Sequence, residues 1–112
     1  PGTATMRMRV GKSHLNFNGK CHGGAIFTLA DSAFGIAANQ YGVIAAGIDT
    51  HLTFQVAVNE GDVLTARSTE VSRTKKLAIY RVDVTRDDGT VVSSFTGTVY
   101  LTTRAHAAHL TL

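Results

Sequence analysis

The chain has 112 residues, of which 44% are hydrophobic and 17% are charged, a balance typical of one globular domain over residues 1–112. With 11 basic and 8 acidic residues, the formal net charge is +3, and the small cluster Arg73, Lys75 and Lys76 is too little to indicate nucleic-acid binding. A single cysteine excludes an internal disulfide framework, and no apolar run is long enough to span a membrane, so we expect a cytoplasmic protein. The sequence opens with Pro1 and not with Met, which is consistent with a missing N-terminal piece that would carry any targeting signal.

The spacing of hydrophobic residues changes twice between residues 3 and 42. Alternation from Thr3 to Val10 predicts a first strand, and the polar stretch from Gly11 to Lys20 predicts a loop. Apolar residues at helical spacing then predict a helix over Ala25–Ala38, with Gly42 as its C-cap.

The rest of the chain has the pattern of a strand meander. Four strands are predicted at Ala46–Gln55, Asp62–Ser72, Lys75–Arg86 and Val91–Thr103. The Asp88-Gly89 pair is the strongest hairpin signal between them. One strand, one helix and four consecutive strands predict an α+β domain with an antiparallel sheet around the helix.

The predicted helix carries an acid where an ordinary core helix has none. Its apolar stripe consists of Ile26, Leu29, Ala30, Ala33 and Ala37. Asp31 lies off this stripe and shares a second face of small and polar residues with Thr28 and Gly35, while Phe27 and Phe34 stand at the edges of that face. We therefore expect Asp31 to serve a ligand or a second helix.

The helix entrance, His22-Gly23-Gly24, offers a second chemical feature. The first N–H groups of a helix have no partner within it and lie at the positive end of its dipole. Glycine lets a ligand oxygen approach them, so they could hold a developing oxyanion, which indicates acyl transfer or hydrolysis.

The spacing of these two features predicts a dimer. Gly23 and Asp31 are eight residues apart, or roughly 12 Å along a helix that rises ~1.5 Å per residue. One subunit cannot place both on one carbonyl. Antiparallel packing of two such helices across a twofold axis would bring Gly23 of one subunit beside Asp31 of the other, so we expect an obligate homodimer with the site at its interface.

The two motifs together resemble a known family. Asn16, followed after five residues by His22-Gly23-Gly24 and then by Leu-Ala-Asp-Ser-Ala-Phe over 29–34, is similar to the PaaI group of hot-dog-fold acyl-CoA thioesterases. The resemblance implies a hot-dog fold and hydrolysis of aryl-acetyl-CoA, such as phenylacetyl-CoA or hydroxyphenylacetyl-CoA, at the dimer interface. It also implies a dimer of dimers, with neither a cofactor nor a metal.

The resemblance also implies roles for individual residues. Asp31 falls on the acidic residue of the central helix, the Gly23 amide on the oxyanion donor and Asn16 on the loop amide. His22 falls on the histidine that shapes the loop and the thioester pocket. Aspartate instead of glutamate at the acidic position favours the PaaI side of the superfamily.

Further residues are expected to contact the two ends of the substrate. The expected substrate-binding residues are Gly24, Phe27, Thr28, Phe34, His51 and Phe54, and those for coenzyme A are Arg73, Lys75 and Lys76. The chain departs from the family in two places. It has Gln55-Val56 where many relatives have Arg-Pro, and Gly47 near the place where some relatives carry a hydroxyl that positions water. Thr28 or Thr50 would have to supply that hydroxyl, or direct attack by Asp31 gains weight.

Several alternatives stay open at this level. Asp31 could deprotonate a water or attack the thioester itself, and Asn16 could simply cap its loop. Cys21 is read as a packing residue rather than a nucleophile, and His106 and His109 as exposed side chains despite their metal-ligand spacing. A non-catalytic acyl-CoA sensor and a hydratase or dehydratase, using His22 and Asp31 as an acid-base pair, are the alternative functions.

Overall fold

The computed structural model describes residues 1–105 and builds them into one long helix and five strands. The strands are β1 (Thr3–Arg9), β2 (Val43–Phe54), β3 (Val63–Arg73), β4 (Leu77–Thr85) and β5 (Val91–Ala105), and the helix is α1 (Gly23–Ala38), preceded by a 3-10 turn at Lys12–His14. The predicted helix and the five predicted strands are all present, and the α+β prediction is confirmed. Over these residues, neither helical segment has the length and apolarity that crossing a membrane requires.

The five strands form one antiparallel sheet in the order β1-β3-β4-β5-β2. Strands β1 and β2 are therefore the two edge strands. β2 is 12 residues long, and the side of it that faces away from β5 pairs with none of the described strands. Helix α1 contacts all five strands. The helix thus lies within the curve of the sheet, with its apolar stripe against the inner face.

Side-chain alternation along the central strands explains this packing. On β4 the buried residues Ala78, Tyr80, Val82 and Val84 alternate with more exposed ones, which is the pattern of a sheet with one covered face. The predicted helix stripe is fully buried, and most of it is alanine. Small side chains let the helix approach the sheet closely, and the ring of Phe34 packs against those of Tyr80 and Phe95 in the same core.

The end of the helix differs from the prediction. We expected Gly42 as the C-cap, but the helix ends at Ala38 and Asn39 is the cap residue. The Asn39 carboxamide donates to the Gly35 carbonyl at 2.8 Å and accepts the Ala45 N–H at 3.0 Å. Because this side chain joins the last helical turn to β2, the chain turns three residues earlier than expected, and Gly42 lies in the turn with a φ of 85°.

The ring of Phe34 is held against the backbone of Gly97, and this contact leads to a stability prediction. A Cβ atom at Gly97 would lie 2.7 to 2.9 Å from three atoms of the Phe34 ring, which is too close for any real contact. We expect Gly97→Ala to lower the free energy of unfolding by about 1–3 kcal/mol through overpacking. Denaturant unfolding would measure this change.

The double variant Gly97→Ala/Phe34→Leu provides the control for that prediction. Leucine removes the ring that the new methyl group would meet, so alanine at position 97 should cost less in this background than in the wild type. An equal cost in both backgrounds would show that the Phe34 contact is not the cause.

Candidate active site

The helix begins at Gly23, two residues before the predicted start, because His22 caps it. The Nδ1 atom of His22 accepts the Gly24 N–H at 2.8 Å, so a neutral His22 carries its proton on Nε2. A Cβ at Gly24 would lie 2.7 Å from Cε1 of the same ring. Glycine at position 24 is therefore required by the cap, and its N–H is already in use.

The Gly23 N–H is the donor that the cap leaves free. It has no acceptor among residues 1–105 and lies at the positive end of α1. A Cβ at this position would lie 3.0 Å from Cζ of Phe54, so any side chain at position 23 would meet the phenyl ring. The Gly23 N–H is thus an unpaired backbone donor of the kind that an oxyanion site requires, and the Phe54 ring lies beside it.

Asn16 organises the loop that leads into the helix. Its side-chain oxygen accepts the N–H groups of Asn18 and Lys20 at 2.9 and 3.1 Å, and its own N–H donates to the Lys20 carbonyl at 2.7 Å. The loop-capping alternative for Asn16 is therefore present in the structure. The carboxamide nitrogen makes no hydrogen bond within the described chain, so it is still available as a donor.

Asp31 lies in a cavity of about 430 Å³ between α1 and β2. Its carboxylate is exposed and has no hydrogen bond or ion pair among residues 1–105. Asn39 and Phe34 line the same cavity from the helix side, and Gly47 and Thr50 line it from the strand. An unpaired carboxylate at the mouth of a cavity is free to act on a ligand.

A β-bulge determines which side chains of β2 face this cavity. The register with β5 shifts between Gly47 and Asp49, which leaves Ile48 as the extra residue, 59% exposed. Beyond the bulge, Thr50 pairs with the buried Gly97, so its side chain is on the helix side of the sheet. The sequence carries no signal for a bulge at Ile48, because strand periodicity does not reveal where an extra residue is inserted.

The same register places His51 away from the cavity. His51 pairs with the exposed Thr96, and directly paired residues of an antiparallel sheet share a face. The side chain is therefore on the outer face of the sheet. The structure does not bring His51 together with Asp31.

Gly23 belongs to a different cavity, of about 370 Å³, at the start of the helix. Phe54, Lys20 and Cys21 also line it, and Asp31 does not. The two features predicted to act on one carbonyl are thus eight residues apart on one helix, roughly 12 Å at ~1.5 Å per residue, and they open into separate spaces. Within one chain the candidate site is divided in two.

Cys21 is confirmed as a packing residue. Its side chain is buried, and its thiol is 3.6 Å from the His22 carbonyl oxygen. Burial, and to a smaller extent the negative charge of Asp62, raises the pKa of the Cys21 thiol. A raised pKa disfavours the thiolate that a nucleophilic role would require.

Thr28 and Phe27, two further predicted substrate contacts, line neither the Asp31 cavity nor the Gly23 cavity. Thr28 donates its hydroxyl to the Gly24 carbonyl at 2.8 Å and faces another cavity, which Met6 and Met8 of β1 line. Phe27 is half-buried and packs on Phe95 with 5.9 Å between ring centroids. Thr28 is therefore separated from the Asp31 cavity, which leaves Thr50 as the hydroxyl on its strand side.

The three residues predicted to bind coenzyme A have different surroundings in the fold. The Arg73 guanidinium lies 3.8 Å from the Tyr41 ring centroid and 3.4 Å from Glu70, which also accepts the Tyr80 hydroxyl at 2.8 Å. Burial and the Glu70 carboxylate raise the pKa of Tyr80 in this group. Lys75 and Lys76 are exposed in the β3–β4 turn and have no ion pair among residues 1–105. His106 and His109 lie outside the described residues.

Comparison with known proteins gives a consistent family assignment. The sequence profile described as the thioesterase superfamily matches residues 18–93. A candidate esterase of Archaeoglobus fulgidus is 40% identical over 99 residues, covering 88% of this chain and 64% of the relative. The acyl-coenzyme A thioesterase PaaI of Escherichia coli is 32% identical over 96 residues, covering 86% and 69%. The chain therefore spans about two thirds of the length of these relatives.

Solved structures agree with this assignment. The E. coli PaaI protein from the phenylacetic acid degradation operon has a TM-score of 0.90 at 30% identity, covering 93% of this chain and 75% of that one. A hypothetical thioesterase of Streptococcus pneumoniae TIGR4, solved with coenzyme A, has a TM-score of 0.89 at 27% identity, covering 95% and 86%. The predicted hot-dog fold and family resemblance are confirmed. The chain belongs to the thioesterase superfamily and is a PaaI-type hot-dog protein.

Proposed function

We propose that the protein is an acyl-CoA thioesterase that hydrolyses aryl-acetyl-CoA to the free acid and coenzyme A. The observation that carries this proposal is the pair of unsatisfied groups on α1, the Gly23 N–H and the Asp31 carboxylate. A preorganised donor stabilises the oxyanion of a tetrahedral intermediate, and a carboxylate supplies the base or the nucleophile. The PaaI relative and the neighbour solved with coenzyme A support the substrate class.

Hydrolysis of the thioester then requires the two groups on α1 and a water molecule. Asp31 takes a proton from water while the water oxygen attacks the thioester carbon, and the Gly23 N–H holds the resulting oxyanion. When the intermediate collapses, the carbon–sulfur bond breaks, and the proton held by Asp31 returns to the coenzyme A sulfur. Direct attack by Asp31 on the thioester carbon would instead break the carbon–sulfur bond and expel the coenzyme A thiolate, which takes a proton from water. The mixed anhydride that remains is hydrolysed by water in a second step.

The division of the site within one chain supports a homodimer with two composite sites. The long edge of β2 leaves backbone groups unpaired among the described residues, and an isologous contact can pair it with the same edge of a second copy. Ile48 and Phe54, 59% and 58% exposed, lie along this edge. A twofold contact there would bring the Asp31 cavity of one protomer to the Gly23 cavity of its partner. We also propose that such dimers pair into tetramers.

Aromatic residues on both sides of the helix support a preference for aryl-acetyl groups. Phe54 stands over Gly23, and Phe34 lines the Asp31 cavity with its ring 5.4 Å from that of Phe95, centroid to centroid. Phe27 completes this set on the helix. A planar acyl group could pack against such rings in offset or edge-to-face geometry.

Thr50 is proposed to position the water, since it lines the Asp31 cavity and its hydroxyl makes no hydrogen bond within the described chain. We expect Thr50→Val to lower kcat by about tenfold with little change in KM, and Thr50→Ser to restore most of the activity. Steady-state kinetics on both variants measure this. Thr28→Val is the matched control, because the Thr28 hydroxyl is already bonded to the Gly24 carbonyl. Equal losses in valine and serine variants would exclude a role for the hydroxyl.

Lys75 and Lys76 are proposed to attract the phosphates of coenzyme A, whereas Arg73 is committed to Tyr41 and Glu70. We expect Lys75→Ala/Lys76→Ala to raise KM several-fold at low salt and much less at high salt, because screening removes long-range attraction. Arg73→Ala should instead lower the thermal midpoint. A KM independent of both lysines at low salt would remove them from the substrate path.

Release of free thiol from phenylacetyl-CoA and from a straight-chain acyl-CoA tests the proposed function directly. Thiol release without an added cofactor supports hydrolysis, whereas binding of the esters without release would indicate a sensor. Formation of an enoyl-CoA would indicate a hydratase or dehydratase. In that reading Nε2 of His22 would have to exchange the proton, because Nδ1 is engaged as the helix cap.

A further inference from the structure

Two residues that line the Asp31 cavity, Gly35 on α1 and Gly47 on β2, are glycines that the fold itself does not require. Neither has the left-handed backbone that favours glycine. A Cβ at Gly35 would meet nothing within 4 Å, and a Cβ at Gly47 would meet only Cε2 of Phe34, at the ordinary contact distance of 3.6 Å. Because glycine inside a helix or a strand is less stable than alanine, its presence at both positions needs another reason.

The other glycines of the chain differ from these two. Apart from Gly11, each of them either has a left-handed backbone or would place a Cβ 3.0 Å or less from a side-chain atom. The β-bulge at Ile48 does not explain Gly47, because a bulge requires glycine only where its backbone is left-handed. A glycine in a strand without such a reason often marks a place where a ligand or another backbone approaches closely.

The space beside Gly47 is on the inner side of the sheet. Gly47 pairs with the buried Val99 of β5, so a side chain at position 47 would lie on the helix side, toward the ring of Phe34. Asp31 and Asp49 line this cavity, and no basic residue does. An uncharged apolar group therefore suits the space beside Gly47 better than an anionic one.

We propose that Gly47 keeps this space open for the aryl ring of the acyl group, and so determines the preference for aryl-acetyl over small acyl groups. This inference rests on the proposed function. Asp31 acts at the thioester carbon, and in an aryl-acetyl group one methylene separates that carbon from the ring. Residues three apart are neighbours on a helix surface, so a group that reaches Asp31 can also reach Phe34, which lines the same cavity. The aryl ring then lies over Gly47 and against the ring of Phe34.

The test compares kcat/KM for phenylacetyl-CoA and acetyl-CoA in the wild type, Gly47→Ala and Gly47→Val. We expect the ratio of the two values to fall several-fold with alanine and about tenfold or more with valine, while kcat/KM for acetyl-CoA stays within about twofold. Ala46→Val is the matched control, because Ala46 is on the same strand, pairs with the exposed Tyr100 and does not line the cavity. This control should leave the ratio unchanged.

The thermal midpoint of unfolding separates a loss of space from damage to the fold. Since a Cβ at Gly47 meets no atom closer than 3.6 Å, Gly47→Ala should unfold at the wild-type temperature or slightly above it. An unchanged ratio in both Gly47 variants would overturn the proposal, and so would an equal loss for both esters, which would show that the space serves water or the partner subunit. Failure of the proposed function looks different, because the wild type would then release no thiol from either ester.

Discussion

Asp31→Asn should lower kcat for phenylacetyl-CoA hydrolysis by roughly 10² to 10⁴-fold while KM changes little. Asparagine keeps the shape of the side chain and removes its ability to take a proton or attack a carbon. The Asp31 carboxylate has no hydrogen bond or ion pair among residues 1–105, so its loss breaks no contact in the fold. The thermal midpoint of unfolding should therefore stay close to that of the wild type, and steady-state kinetics measure the loss.

Glu60→Gln provides the matched control for this variant. Glu60 is an exposed carboxylate in the turn before β3 and lies outside both cavities, so its neutralisation changes net charge by the same amount without touching the site. We expect activity within about twofold of the wild type, since an isolated exposed charge contributes little. If Asp31→Asn behaved like Glu60→Gln, Asp31 would have no part in the chemistry.

Gly23→Pro should lower kcat by roughly 10² to 10³-fold, the usual cost of removing one oxyanion donor. Proline removes the N–H and is well tolerated at the first position of a helix, where that N–H has no internal partner. The preceding residue, His22, has φ of −66° and ψ of 134°, which is the extended conformation that proline requires before it. The helix should therefore still form, and far-ultraviolet circular dichroism checks this.

Gly23→Ala separates the loss of the donor from the added bulk. Both variants introduce a Cβ that lies 3.0 Å from the Phe54 ring, and only proline removes the N–H. The Cβ requires the Phe54 ring to shift by a few tenths of an ångström, and this ring is 58% exposed in the single protomer. Alanine should keep most of the activity. Equal losses in the two variants would show that space, and not the donor, matters at position 23.

Much of the fold was predictable because its elements have strong and distinct periods. The alternation of β4 and the helical stripe of α1 both follow from side chains that must face one core. The boundaries were less predictable where a side chain decides them. His22 starts the helix two residues earlier and Asn39 ends it at Ala38, and both act through hydrogen bonds that local composition does not specify.

The site was predictable in its parts and less so in its arrangement. The acid on α1 and the glycine-rich entrance could be identified from the sequence alone. That Gly24 is required by the His22 cap could not, because the requirement comes from the position of the imidazole ring. The bulge at Ile48, which places Thr50 toward Asp31 and His51 away from it, depends on pairing with β5. The engagement of Arg73 by Tyr41 and Glu70 likewise requires segments distant in sequence to meet.

In the proposed dimer, each site combines Asp31 of one protomer with Gly23 of its partner. This arrangement can be tested with two mixed dimers, each purified through a different affinity tag on each chain. The first pairs an Asp31→Asn chain with a Gly23→Pro chain, and the second pairs a wild-type chain with a chain that carries both substitutions. The measurement is the rate of thiol release from phenylacetyl-CoA per dimer.

A composite site predicts opposite outcomes for the two mixed dimers. In the first, one site keeps both Asp31 and Gly23, so activity should return to roughly half that of the wild type. In the second, each site has lost one of the two groups, so activity should be nearly absent despite one intact chain. The reverse pattern, with an inactive first dimer and a half-active second one, would place the whole site within a single protomer and contradict the composite site.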